Sequence, residues 1–293
     1  MFVELIMIII SIVSFLFVLK PYFIIAILRY FFVLEFVDNA LKIEPEYQIT
    51  LGNYTGNVYR ATKYYGNIET KIISTESANY LLPTPIEYKT EDKNYKSENI
   101  ILWIHGGAFS IEQPYFTKFV FGIAKTTGRD VISFDYPTLL KKSQSFCMMY
   151  IKKLIEHFSN YKSIIIFADS AGAYYFSVLY NKLENKNIDG IILLHPFLGK
   201  INPTIDIIFD YLLEGRKFKP IMSFKEPTLI INSELDLFYN TTKKVLVLEK
   251  DTYKEINCEL CDHDFPFIYA SLDKTVQALK EIEIWFKKHN FLN

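Results

Sequence analysis

One stretch of the chain, residues 163–173, constrains the fold and the chemistry more than any other. It opens with an apolar run at 164–167, Ile-Ile-Ile-Phe, which is short enough to be a buried strand of a parallel sheet. It ends in small residues before a segment with a helical pattern, so Ser170 stands at a predicted corner between strand and helix. A nucleophile at such a corner has a strained backbone, and the residues two before and two after it must be small. Ala168 and Gly172 meet that requirement.

The start of the predicted helix behind Ser170 supplies backbone N–H groups that have no partner within the helix. Such groups can stabilise the negative charge that develops on a carbonyl oxygen under attack, and Ala171 is the residue placed to donate. The stretch is therefore predicted to be the nucleophile corner of an enzyme. A turn of small residues without catalytic function stays open as the alternative, because alanine stands at 168 where the G-x-S-x-G pattern has glycine.

Around this corner the sequence alternates strand patterns with helical patterns. Five short apolar runs indicate buried strands, at 100–104, 131–134, 164–167, 190–194 and 228–231. Helical patterns fall between them, at 115–126, 143–158 and 173–183. This alternation predicts a parallel sheet with right-handed crossovers. Further elements are predicted before and after it: antiparallel strands at 47–65 and 69–73, a sixth strand at 255–259 and an amphipathic helix at 271–289.

A glycine pair follows the first predicted parallel strand, in the sequence His-Gly-Gly-Ala-Phe at 105–109. Glycines directly after a buried strand let the backbone approach a ligand closely, so their N–H groups can point into a site. We therefore expect Gly106 and Gly107 to form an oxyanion hole together with Ala171. We expect His105 to brace this loop rather than to act as a base. A simple glycine turn is the alternative.

An activated serine needs two further groups, an imidazole and an acid. Asp236 follows the fifth predicted parallel strand and is the preferred acid, with Glu234 as the alternative. His263 follows the sixth strand. The chain order Ser170, Asp236, His263 is typical of a catalytic triad carried by an α/β-hydrolase sheet.

The N-terminal segment is strongly apolar. Residues 1–19 carry a single charged side chain and reach ~28 Å at ~1.5 Å per residue, close to the ~30 Å hydrocarbon thickness of a bilayer. Lys20 and Arg29 do not share one face at ~100° per residue, which argues against an amphipathic surface helix. We predict a single-pass membrane anchor with an interfacial segment at 1–44 and a catalytic domain at 45–293. A cleaved signal peptide and a helix buried in the fold stay open.

Charge and cysteine content narrow the possible partners. The chain has 32 basic and 33 acidic residues with no long block of one sign, which argues against nucleic acid as a partner. Three cysteines are too few for a disulfide framework. Cys258-x-x-Cys261 with His263 lacks the four ligands of a structural zinc site. We predict neither a metal nor a cofactor, and the sequence leaves the oligomeric state open.

Five segments of the chain together resemble one protein family: 105–109, 135–136, 168–172, the segment around Asp236 and 263–266. They are similar to the hormone-sensitive-lipase-like branch of the α/β-hydrolases, over about 100–285. The resemblance implies a mainly parallel sheet flanked by helices, with a small cap at about 201–227. It implies carboxylic-ester hydrolysis with Ser170, Asp236 and His263 as the triad, and with Gly106 and Gly107 in the oxyanion hole.

Within that branch, the short anchor and the His-Asp-Phe-Pro ending at 263–266 are similar to membrane-bound arylacetamide deacetylases and steryl acetyl hydrolases. The chain departs from the family pattern by alanine at 108, 168 and 173, where the family has glycine, and by His-Pro-Phe at 195–197 in place of Ser-Pro-Trp. Alanine keeps its backbone N–H, so these changes bear on substrate and rate more than on reaction type.

The resemblance and the motifs together predict a membrane-anchored serine hydrolase. It would cleave small apolar esters, acetyl or acyl lipid or steryl esters, through an acyl-enzyme. Localisation is expected at a membrane, in the endoplasmic reticulum if the cell is eukaryotic. An aryl amide deacetylase and a non-catalytic receptor or scaffold of the same fold are the alternatives.

Overall fold

A computed structural model describes residues 43–62, 70–75, 78–83, 97–183, 187–198, 223–236, 238–239, 242, 253–258, 261, 263, 265–268 and 273–292. The predicted anchor at 1–44 lies outside these ranges except for its last two positions, and the predicted cap lies outside them except for 223–227. Among the described helices, none has both the length and the apolar character that crossing a bilayer requires. The anchor, the cap and the boundary between 44 and 45 stay predictions.

The apolar runs of the sequence form a sheet whose inner strands are parallel. In the described ranges, eight strands pair in the order β1-β2-β6-β5-β7-β8-β9-β10, and β3 and β4 form a separate antiparallel pair. β1 and β2 run antiparallel to each other and β2 runs antiparallel to β6, whereas every pairing from β6 to β10 is parallel. The strands are β1 Tyr47–Leu51, β2 Tyr54–Ala61, β3 Thr70–Thr75, β4 Ala78–Pro83, β5 Asn99–Ile104, β6 Asp130–Phe134, β7 Ser163–Asp169, β8 Ile188–Leu194, β9 Thr228–Ser233 and β10 Tyr253–Cys258.

Helices follow the parallel strands, as the alternating pattern predicts. They are α1 Lys118–Thr127, α2 Gln144–His157, α3 Ser170–Leu179, α4 Phe265–Ile268 and α5 Asp273–Lys288. The bounds of most elements differ from the predicted ones by a few residues, and two of the differences have a clear structural cause. α3 begins at Ser170 and not at the predicted residue 173, because the chain passes from β7 directly into the helix. The strand predicted over 47–65 is two strands, because Gly52 takes a left-handed φ of 65° and turns the chain into a hairpin.

The inner strands are buried on both faces, which explains why their sequences are apolar throughout rather than alternating. On one face, Ile100, Leu102 and Ile104 of β5 belong to a core that includes buried residues of α2 and α3. On the other face, Trp103 stacks on Phe267 of α4 with ring centroids 5.6 Å apart. Because β5, β7, β9 and β10 are parallel, the segments that follow them leave the sheet at one shared edge.

Candidate active site

The corner between β7 and α3 has the strained geometry that a nucleophile requires. Ser170 has a left-handed φ of 48°, which is uncommon for a residue other than glycine. A Cβ at Gly172 would lie 2.0 Å from the carbonyl oxygen of Ile104 and 2.6 Å from that of His105. Only glycine therefore allows α3 to pass the end of β5, and this passage places Ser170 beside the loop that follows β5.

The structure brings Ser170, Asp236 and His263 together. Nε2 of His263 lies 3.0 Å from the Ser170 hydroxyl, and Nδ1 lies 3.0 Å from Oδ2 of Asp236. Ser170 and Asp236 are 5% and 7% exposed, whereas the His263 side chain is 31% exposed, so the two ends of the row are buried and the imidazole is open to solvent on one side. The other oxygen of Asp236 accepts the Phe238 N–H at 2.9 Å, which fixes the carboxylate. The row can pass a proton from the hydroxyl to the imidazole while the carboxylate holds the ring in one orientation.

Glu234, the alternative acid, lies elsewhere. Its side chain is exposed, and its carboxylate accepts a hydrogen bond from the Asn257 amide at 3.2 Å. Asp236 is the carboxylate that the structure places within hydrogen-bond distance of His263.

A disulfide and two backbone hydrogen bonds join the acid segment to the histidine segment. Cys258 and Cys261 are bonded to each other, and His263 follows two residues later. The N–H groups of Glu234 and Leu235 donate to the carbonyl oxygens of Cys258 and Cys261, each at 3.1 Å. The sequence argues against a disulfide framework, and this single bridge over one short loop is no such framework. It was missed because the same Cys-x-x-Cys spacing suits a metal site. In the described part of the chain, no cluster of three or more potential ligands could hold a metal.

The loop after β5 has an unusual backbone. Gly107, Ala108 and Phe109 have successive left-handed φ values of 110°, 51° and 64°. The carbonyl oxygen of Gly107 accepts the N–H groups of Ser110 and Ile111 at 2.9 and 3.2 Å, which closes the loop on itself. The N–H groups of Gly107 and Ala108 have no hydrogen-bond partner among the described residues.

The structure does not support Gly106 as an oxyanion donor. Its N–H donates to Oδ2 of Asp169 at 2.7 Å, so it is already occupied. The loop instead offers the N–H groups of Gly107 and Ala108, in addition to the N–H of Ala171 at the second position of α3. Ala108 is therefore a candidate that the sequence pattern did not indicate, and the local signal for it is only that alanine keeps the N–H of the glycine it replaces.

His105 braces this loop through its buried ring. The imidazole is fully buried, and its two nitrogens lie 2.9 Å from the Gly106 carbonyl oxygen and 3.1 Å from that of Glu112. The ring stacks on Tyr136 at 4.3 Å between centroids, and the Tyr136 hydroxyl donates to the His105 carbonyl oxygen. Burial lowers the pKa of His105 to about 4, because the charged form loses its hydration. The residue is therefore neutral at pH 7, in keeping with a bracing role.

Two rings pack against the catalytic imidazole. Phe238 meets the His263 ring edge-on at 4.8 Å, and Phe197 lies 5.2 Å from Phe238. His195, at a left-handed φ of 43°, places its ring 5.5 Å from that of His263 and shares a hydrogen bond with Ser233. Phe238 therefore gives the imidazole an apolar neighbour on one side, and His195 ties its own segment to the end of β9.

Solved structures share this architecture. A hyperthermophilic esterase from the archaeon Pyrobaculum calidifontis matches with a TM-score of 0.58 at 14% identity, covering 89% of this chain and 90% of that chain. A variant of an α/β-hydrolase enzyme from the metagenome of Lake Arreo, Spain, matches with a TM-score of 0.61 at 10% identity, covering 89% of each chain. A thermophilic carboxylesterase cloned from a metagenomic library matches with a TM-score of 0.56 at 12% identity, covering 88% of this chain and 94% of that chain.

The chain has the α/β-hydrolase fold. No protein-family model and no curated protein matches it by sequence. The similarity to solved structures therefore establishes the α/β-hydrolase architecture, and the chemistry depends on the side chains of this chain.

Proposed function

We propose that this α/β-hydrolase-fold protein is a serine hydrolase that cleaves carboxylic esters through an acyl-enzyme. The observation that carries the proposal is the hydrogen-bonded row in which His263 lies 3.0 Å from both Ser170 and Asp236. A row of this kind activates a hydroxyl that is otherwise a weak nucleophile. The three solved structures named above include two esterases, which supports an ester as the substrate.

In the first half of the reaction, Nε2 of His263 takes the Ser170 proton as the oxygen attacks the ester carbonyl. The Asp236 carboxylate orients the imidazole and stabilises the imidazolium that forms. The N–H groups of Ala171, Gly107 and Ala108 are the donors available to the oxyanion. The imidazolium then protonates the departing alcohol, which leaves an acyl group on Ser170.

In the second half, a water molecule takes the place of the alcohol. His263 removes one of its protons as the water oxygen attacks the acyl carbon, and the same donors hold the second oxyanion. The tetrahedral intermediate collapses to release the carboxylic acid, and the proton returns from His263 to Ser170. The water supplies the hydroxyl of the acid and the proton that replaces the acyl group, so no cofactor enters the balance.

The substrate is proposed to be an apolar ester, of the acetyl, acyl-lipid or steryl type. Phe238 beside His263, and Phe197 packed against Phe238, favour apolar groups over charged ones. The apolar segment 1–19 supports attachment to a membrane through residues 1–44, and with it delivery of substrate from the bilayer. Extraction of membrane fractions with carbonate tests the attachment, because a spanning anchor keeps the chain in the pellet.

Labelling with a fluorophosphonate probe tests the proposed function. The probe is expected to modify Ser170 in the intact protein and to leave Ser170→Ala unlabelled, because only a serine activated by a base reacts quickly. Absence of labelling on the folded wild type would favour a non-catalytic scaffold. Hydrolysis of a matched ester and amide then separates an esterase from an aryl amide deacetylase.

A further inference from the structure

A buried carboxylate next to the nucleophile has no part in the proton transfers described above. Asp169 is fully buried, and both of its carboxylate oxygens accept hydrogen bonds. Oδ1 accepts from the Trp103 indole at 2.5 Å, and Oδ2 accepts from the Tyr115 hydroxyl at 2.5 Å and from the Gly106 N–H at 2.7 Å. A buried charge is tolerated only where it is paired or hydrogen-bonded in this way.

The position of Asp169 in the chain makes these contacts unexpected. It is the N-cap residue of α3, where an aspartate usually accepts the free N–H groups of its own helix. Here its side chain makes no cap hydrogen bond. The first N–H groups of α3, including that of Ala171, are therefore not taken by the residue that would otherwise compete for them.

The same carboxylate fixes the loop that supplies the other oxyanion donors. Gly106 directly precedes Gly107 and Ala108, so the bond from its N–H to Asp169 sets where their N–H groups lie relative to Ser170. The approach is very close, since a Cβ at Gly106 would lie 2.3 Å from Oδ2 of Asp169. Any lengthening of this contact moves the loop away from the nucleophile corner.

The two side-chain donors connect the carboxylate to the histidine segment. Trp103 stacks on Phe267 at 5.6 Å and Tyr115 meets the same ring edge-on at 5.1 Å. Phe267 lies in α4, four residues after His263. Asp169 therefore lies at the point where the nucleophile corner, the oxyanion loop and the packing of the histidine segment meet.

We propose that Asp169 is a positioning residue of the hydrolase site: its carboxylate holds the 105–109 loop against the nucleophile corner and leaves the first turn of α3 open to the oxyanion. The inference rests on the proposed function. Its effect is on the transition state, because the donors that it positions bind the oxyanion and not the ground-state ester.

Two substitutions test this role. In Asp169→Asn, the amide NH₂ faces either the Trp103 indole or the pair of donors on Oδ2, so at least one hydrogen bond of the network is lost. The hydrogen bonds that remain go to a neutral acceptor and hold the loop less firmly than a carboxylate does. We expect kcat to fall about 10²-fold while KM stays within about threefold, as for loss of an interaction made only in the transition state. Tyr115→Phe removes one donor and keeps the Gly106 contact, so we expect a fall of about three- to tenfold.

A thionoester substrate separates positioning from a general loss of structure. Its sulfur is a weak hydrogen-bond acceptor, so an intact oxyanion hole favours the ester over the matched thionoester. We expect this preference to shrink about tenfold in Asp169→Asn, because the ester loses hydrogen bonds that the thionoester never had. A purely structural defect lowers both rates alike and leaves the preference unchanged.

Two matched controls lie away from the site. Asp130→Asn removes a buried carboxylate that pairs with Arg60 at the opposite end of the strands. Tyr180→Phe removes a buried hydroxyl that donates to the Glu226 carboxylate. Tyr180 directly follows the last residue of α3, at the end of that helix away from Ser170. Both are expected to lower the melting temperature and to leave kcat and the ester preference unchanged.

The outcomes are distinct for the proposed function and for this inference. A wild-type protein that neither hydrolyses esters nor takes the fluorophosphonate label refutes the proposed function. An active wild type with a folded Asp169→Asn variant of unchanged kcat and ester preference overturns the positioning role. If Asp169→Asn does not fold, Tyr115→Phe decides, and unchanged values in that variant overturn the role equally.

Discussion

Gly172→Ala is the substitution whose outcome follows most directly from the geometry. A Cβ at this position would lie 2.0 Å from the Ile104 carbonyl oxygen, whereas real contacts under 3.0 Å are essentially never seen, so the end of β5 or the start of α3 must move by about 1 Å or more. The obstacle is backbone on both sides and cannot rotate away. Since Gly172 is not among the glycines with a left-handed φ, the whole effect is steric.

The expected magnitude has two parts. Overpacking of this kind lowers the free energy of unfolding by about 2–3 kcal/mol. The displaced carbonyl groups belong to Ile104, directly before the 105–109 loop, and to His105, the first residue of that loop, so the shift reaches the N–H donors as well. A misplacement of ~1 Å in an active site costs about 10²-fold in rate, and we expect kcat/KM to fall by that factor.

Gly128→Ala provides the matched control. Gly128 ends α1 with a left-handed φ of 68°, and a Cβ there would meet no atom within 4 Å. Its substitution by alanine carries the backbone cost alone, about 1 kcal/mol, without loss of activity. Urea unfolding and ester hydrolysis are measured on both variants. The steric reasoning is refuted if Gly172→Ala is no less stable than Gly128→Ala and keeps kcat/KM within about threefold of wild type.

Three further predictions concern the acid, the loop histidine and the disulfide. Asp236→Asn is expected to lower kcat by about 10⁴, because an amide favours the wrong tautomer of the imidazole, whereas Glu234→Gln leaves kcat near wild type; steady-state kinetics measure both. His105 has a pKa of about 4 in the folded protein against about 6.5 in the unfolded chain, so acid protonates the unfolded chain first. The contribution of His105 to the free energy of unfolding is therefore complete above pH 6.5, and about 3 kcal/mol of it is lost as the pH falls to 4. Urea unfolding between pH 7 and pH 4 measures that loss. Replacing Cys258 and Cys261 by serine is expected to lower the free energy of unfolding by about 2 kcal/mol and to reduce kcat, as measured by urea unfolding and kinetics.

Each of these has a control in the same chain. If Glu234→Gln loses as much activity as Asp236→Asn, the assignment of the acid fails. His105→Gln removes the titrating group, and an acid-induced loss as large as that of wild type would contradict the role given to this histidine. Cys147 is buried and is not part of a disulfide, so Cys147→Ser tests whether loss of any cysteine has the effect expected of the disulfide.

The relative position of the catalytic groups could be predicted from the sequence because it depends on a simple property of parallel sheets. Ser170 and Asp236 each follow a short apolar run and His263 follows a more polar strand, and parallel strands bring such segments to one edge whatever the details of packing. The need for a small residue at 172 could be predicted for a similar reason, since a tight corner excludes a side chain on local grounds alone.

The direction of individual N–H groups could not be predicted. By local rules Asp169 caps its own helix and leaves the Gly106 N–H available, and only the indole and hydroxyl contributed by distant segments turn the carboxylate toward the loop. The pairing of Cys258 with Cys261 was equally hidden, because their spacing suits a disulfide and a metal site alike. The hairpin at Gly52 was missed within a longer strand pattern, since a single glycine can also be accommodated inside a strand.

The sheet order has a consequence for heat inactivation. β7, which leads to Ser170, has strands on both sides, whereas β10, which leads to His263, is the outermost strand of the described sheet and has only β9 beside it. Edge strands of a sheet open at a lower free-energy cost than interior strands. On warming, the segment that carries His263 is therefore expected to unfold locally while Ser170 is still in its folded position. Activity is then lost at a lower temperature than that of global unfolding. Amide exchange over 253–258 should speed up at the temperature where turnover ceases, with β7 still protected.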